Sequence, residues 1–142
     1  MSNQSEGKPA FMPTNMAKIR CNNDNIFVKW LTLTYNLHKL TDKEIEVAAL
    51  FLKYYHQNKA NIINDDVLNS VTFSAESKRK IRQELGMTPT YFQIILKGLR
   101  SKNFYKDNKI NPVCIPNFNK DGNILLLYVL KNESVPDNSN KV

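Results

Sequence analysis

The tightest constraint on the fold lies between Ser74 and Phe104, where the chain reads SAESKRKIRQELGMTPTYFQIILKGLRSKNF. Ser74 suits a helix N-cap, with Glu76 in the first turn where the helix dipole favours an acid. A helix over 75–85 turns Ile81 and Leu85 inward and stops at Gly86, which can take the left-handed conformation that ends a helix. Met87 then plugs the corner. Thr88 caps the next helix, and Pro89 takes its first position, where a missing N–H costs no hydrogen bond. Phe92, Ile95, Leu96 and Leu99 recur at helical spacing and form the buried stripe of that second helix. By spacing this is a helix-turn-helix. The exposed positions on the second helix are Pro89, Thr90, Tyr91, Gln93, Ile94 and Lys97.

Charge concentrates on the same stretch. The 142 residues carry 20 basic and 13 acidic side chains, a net charge of +7. Residues 74–109 hold nine basic and three acidic groups, so +6 of the charge lies in one quarter of the chain. A face that meets a polyanion has this pattern, and so does a solvated helix face. After the second helix, NFYKDNKINP reads as a short hairpin with Asp107-Asn108 at its tip and Lys106 and Lys109 beside it. The candidate phosphate contacts are Lys78, Arg79, Lys80 and Arg82 on the first helix, Arg100 on the second, and Lys106 and Lys109 on the hairpin. Lys97 and Lys102 extend the charge along the second helix. The start of a recognition helix faces the major groove, which makes Thr90, Tyr91, Gln93 and Lys97 the candidate base-edge contacts.

Elsewhere the pattern predicts further helices and then strands. Residues 25–37, with Asp24 as cap, place Phe27, Trp30, Leu31, Thr34 and Leu37 on one helical face, although IFVKWLTLTY also has the β-branched and aromatic content of a strand. Thr41-Asp42-Lys43-Glu44 is a capping box. Ile45, Ala48, Ala49, Leu52 and Tyr55 follow at helical spacing, and Val47 and Phe51 widen the stripe, which predicts packing on more than one side. Residues 59–73 are less regular, with a short helical turn at Asp65–Leu68. Val113–Pro116 reads as extended, 119–123 as a turn, and ILLLYVL over 124–130 as a strand buried on both faces or left for a partner. The domain organisation predicted is a flexible arm over 1–22, one domain over 23–131 and a disordered tail over 132–142.

The run ELGMTPTYFQIILKGLRSKNFY resembles the winged helix-turn-helix pattern of MarR-type regulators and of many phage and plasmid proteins. In that pattern a small cap opens the recognition helix, a leucine pair anchors it, and a Lys-Gly-aliphatic step leads into the wing. Thr88, the pair Leu96 and Leu99, and Lys102-Asn103-Phe104 match these parts. Asn103 stands for the usual glycine, and asparagine tolerates a left-handed backbone better than most residues. LTDKEIEVAALFL is similar to the opening helix of such domains, and the KINP step at 109–112 is similar to that of plasmid replication initiators. The resemblance covers 40–112 and implies a mainly α fold with a small β-hairpin.

Nothing in the sequence forms a catalytic constellation. His38 and His56 read as surface or helix-end histidines, and Asp65-Asp66 has no second acidic cluster to complete a metal site. Four glycines supply no phosphate loop, and Ser74 and Ser77 read as capping residues. Cys21 and Cys114 have no CxxC partner. No cofactor, metal or enzymatic activity is therefore expected. No apolar run is long enough for a membrane helix, and MSNQSEGKPAFMP lacks an apolar signal core, so the expected compartment is a reducing cytoplasm. Sixteen lysines and nineteen asparagines point to an AT-rich coding sequence such as a phage or mobile element. The expected function is a double-stranded DNA-binding regulator of transcription or replication, as a monomer or a homodimer. The rival expectation is a virion structural or adaptor protein that docks other proteins through exposed Ile94 or the segment 124–130. The absence of an arginine at the start of the recognition helix to read guanine departs from the pattern of a good DNA reader.

Overall fold

The computed structural model describes residues 16–136, so 1–15 of the predicted arm and 137–142 of the predicted tail lie outside the described residues. Six helices follow one another among them: α1 (Ile26–Leu33), α2 (Tyr35–His38), α3 (Asp42–Lys59), α4 (Asp65–Thr72), α5 (Ala75–Glu84) and α6 (Pro89–Ser101). An antiparallel hairpin of β1 (Tyr105–Lys106) and β2 (Lys109–Ile110) comes next. The protein is mainly helical with a small two-stranded sheet.

Helix α3 is the hub. Its capping box forms as predicted: the Thr41 hydroxyl accepts from the Glu44 N–H at 3.3 Å, and the Glu44 carboxylate accepts from the Thr41 N–H at 2.9 Å. All seven residues of its predicted stripe are buried, and α1, α4, α5 and α6 pack against it.

The single helix predicted over 25–37 is two. Thr34 leaves helical geometry (φ −101°, ψ 20°), and its hydroxyl donates back to the Trp30 carbonyl at 2.8 Å. Side chains of this kind compete for local backbone groups and favour helix ends. Phe27, Leu31 and Thr34 are buried, but Leu37, past the break, is 62% exposed. Asp24 is not the cap. Asn22 Oδ1 accepts from the Asp24 and Asn25 N–H groups at 2.8 and 3.1 Å, and Asp24 pairs with Lys53 at 3.7 Å. His38, read as a surface or helix-end residue, does end α2 but is buried. Its Nδ1 accepts from the Leu40 N–H at 3.0 Å, so Nε2 carries the hydrogen donated to the Leu31 carbonyl at 2.7 Å. Burial lowers its pKa and holds the ring neutral.

Helix α4 is longer than the turn predicted at its start. Asn64 caps it, accepting from the Val67 N–H at 3.0 Å. Its buried side includes two polar residues, which hides the apolar period. Thr72 is satisfied by the Leu68 carbonyl at 2.8 Å, and Asn69 Oδ1 accepts from the Ile110 N–H at 2.9 Å, tying α4 to β2.

The corner between α5 and α6 follows the predicted spacing. Ser74 accepts from the Ser77 N–H at 3.2 Å, Gly86 has φ +64°, and Met87 is buried in the turn. Thr88 accepts from the Tyr91 N–H at 3.1 Å, with Pro89 at the first helical position. Ile81, Phe92, Ile95, Leu96 and Leu99 are buried. Asn103 takes φ +65°, and the hairpin tip Asp107-Asn108 has φ of +52° and +57°, the two positive values of a type I′ turn. Phe73 stacks between Phe51 and Tyr105, at 4.6 and 4.7 Å, which fixes the hairpin to α3.

The C-terminal expectations fare less well. Pro112–Cys114 is a 3₁₀ turn capped by Asn111, where an extended piece was predicted. The 119–123 turn is present, with Gly122 at φ +79°. Residues 125–130 form no strand and are exposed; only Ile124 makes a bridge, to Phe118. A strand exists only against a partner edge, and the two-residue strands of the hairpin do not reach it. Among the described residues, no helix is long and apolar enough to cross a membrane.

Candidate nucleic-acid interface

Helix α6 is held from beneath and open above. Phe92, Ile95, Leu96 and Leu99 anchor it, and Gly98 lets it approach α3 so closely that a Cβ there would lie 2.1 Å from Glu44 Oε2. At its C-terminal end Lys102 Nζ meets Glu44 Oε1 at 2.6 Å. Burial pushes the Glu44 carboxyl pKa up, but the Lys102 bond and charge, with the Thr41 bonds, outweigh it and hold the carboxyl below its usual value. Lys102 thus positions α6 and, contrary to the sequence expectation, does not extend the charged face.

Thr90, Tyr91, Gln93 and Lys97 all lie on the exposed side of α6, as does Ile94 at 60% exposure. Gln93 and Lys97 are one turn apart and share a face. The first turn of α6, like those of α1 and α2, carries no acidic residue, whereas α3, α4 and α5 each carry at least one there. The positive end of its dipole is therefore not offset by its own first turn, which suits an incoming phosphate.

The flanking cations come in two kinds. Arg79 lies 3.4 Å from Glu76 and donates to Gln83 at 3.2 Å, Lys80 lies 3.9 Å from Glu76, and Lys109 lies 3.1 Å from Asp66. These pairs are exposed and worth about 0.2–1 kcal/mol each, so a phosphate can displace them. Lys106 is exposed and Lys78 half-buried. Arg82 and Arg100 are structural as well. Arg82 Nη1 donates to the Met87 carbonyl at 3.1 Å and closes the α5–α6 turn. Arg100 Nη1 donates to the Tyr105 hydroxyl at 3.3 Å and links α6 to the hairpin. No family model, curated protein or solved structure matches the chain.

The hairpin tip is mixed in charge. Asp66, Asn69, Ser70, Asp107, Asn108 and Lys109 line a groove of about 260 Å³ between α4 and the tip. Among the described residues, no group of three or more His, Cys, Asp or Glu side chains is placed to hold a metal ion. His56 lies against Phe118 at 4.5 Å. Burial and the Lys59 charge lower its pKa. Sequence reasoning missed Gly98 and Glu44 as the pieces that set the height of α6; a glycine inside a strongly periodic helix was the available signal.

Proposed function

We propose that the chain is a winged helix-turn-helix protein that binds double-stranded DNA. Helix α6 enters the major groove, α5 crosses the phosphate backbone and the β1–β2 hairpin serves as the wing. The protein then acts in transcription or replication control, in a phage or other mobile element with an AT-rich genome. The observation that carries this reading is the two-sided build of α6. One face is sealed against the core, and the other presents Thr90, Tyr91, Gln93 and Lys97 beside the +6 segment.

Lys97 and the exposed cations of α5 and the hairpin neutralise phosphates, and Gln93 offers an amide that can pair with adenine N6 and N7. Duplex affinity should fall about a hundredfold or more between roughly 50 and 200 mM salt. Absence of binding at the low end of that range refutes the proposal. Exposed Ile94 and Tyr91 favour a second reading, in which the same helix docks a protein as in a virion adaptor. There Ile94→Asp abolishes an assembly and leaves duplex affinity unchanged.

A further inference from the structure

The segment 124–130 has no part in DNA binding as proposed. It reads ILLLYVL, with no charged side chain between Asp121 and Lys131. Among the described residues, no backbone–backbone hydrogen bond reaches 125–130. Exposure alternates over 125–129: Leu125, Leu127 and Val129 are 87%, 66% and 78% exposed, against 37% and 52% for Leu126 and Tyr128, and the alternation ends at Leu130, which is 96% exposed. The Tyr128 hydroxyl donates to the Leu33 carbonyl at the end of α1. A period of two is that of an extended strand with one face toward its own chain.

We propose that this segment pairs antiparallel with the same segment of a second copy of the chain, in register about Leu127. The three outward residues are symmetric about that position. A two-fold axis there sets Leu127 opposite Leu127 and Leu125 opposite Val129, all on one face. Moving the centre to Leu126 sets Val129 against Asn123, and moving it to Tyr128 sets Leu125 against Lys131. Within 125–130, Leu125, Leu127, Tyr128, Val129 and Leu130 are each more than half exposed, an apolar patch of the kind that marks an interaction site. Charge points to the same place. Two chains of net charge +7 repel, whereas 110–142 balances three basic groups against three acidic ones.

The pairing stands whether or not the chain binds DNA. Light scattering on the full chain at micromolar concentration should give twice 16.4 kDa. Leu127→Asp should give the single mass with an unchanged helical melt. In a Cys21→Ser background, Leu127→Cys should cross-link to its own copy under mild oxidation, because opposed Cα atoms lie about 4.5–5.5 Å apart and fit a disulfide. Val129→Cys should not, since its copy lies four residues along, about 14 Å away. A monomeric parent chain, a dimer that survives Leu127→Asp, or equal cross-linking by both cysteine variants overturns the pairing.

Discussion

Gly98→Ala adds one methyl group where α6 comes nearest to α3. The new Cβ would lie 2.1 Å from Glu44 Oε2, against an ordinary contact of 3.4–4 Å. The carboxylate must therefore swing away, and two bonds resist it: the Thr41 N–H at 2.9 Å and Lys102 Nζ at 2.6 Å. Losing the cap contribution costs about 0.5–2 kcal/mol. Loosening the ion pair, whose lysine side chain is 32% exposed, costs about 1 kcal/mol at most. Alanine returns about 1 kcal/mol through helix propensity. The balance runs from about neutral to a destabilisation of roughly 2 kcal/mol. In a Glu44→Ala background the obstruction is gone, and the same Gly98→Ala change should stabilise by up to about 1 kcal/mol. The two sites should then couple by about 0.5–3 kcal/mol in a double-mutant cycle, read from urea unfolding of the four proteins. A Gly98→Ala change that stabilises both backgrounds equally refutes this account of how α6 is seated.

The same carboxylate sets a pH dependence. Its folded pKa lies below the ordinary 4.5, so its stabilisation is full above that value and is lost as pH falls through the lower folded one; Glu44→Gln should flatten this acid limb in urea midpoints. Leu96→Ala should cost about 2–5 kcal/mol through lost burial and a cavity, and an unchanged thermal melt contradicts the packing of α6. Asn69→Leu should cost about 1–3 kcal/mol by leaving the Ile110 N–H without its acceptor, with hydrogen exchange at that amide accelerated.

What could be read from the sequence was local. The Thr41–Glu44 box and the Ser74 and Thr88 caps each coincide with the onset of an apolar period. Cap, period and turn chemistry therefore agree over α3, α5 and α6. Asn103 was legible because few other residues accept its backbone angle. Helix α4 was not, because Asn69 and Thr72 face inward and find their partners in Ile110, 41 residues on, and in the preceding helical turn. The break at Thr34 depends on a side chain turning onto its own backbone. The run 124–130 has every local mark of a strand, but a strand is a property of two segments, and among the described residues no second one lies beside 125–130. For the interface, the exposed face of α6 could be listed from periodicity alone. The division of the cations could not. Lys102 meets a carboxylate 58 residues away, and Arg82 meets a carbonyl across a turn.

The claim that α6 reads bases is tested most directly by the affinities of Gln93→Ala and Lys80→Ala chains. Each is measured on a duplex selected from a random pool and on random duplex. Gln93→Ala should cost about 1–3 kcal/mol on the selected duplex and little on the random one, because only the former offers an edge to satisfy. Lys80→Ala should weaken both by similar factors and flatten the salt slope. Gln93→Ala chains that bind every duplex as the parent does, beside an Ile94→Asp chain that loses a protein assembly, contradict the claim and make α6 a docking surface.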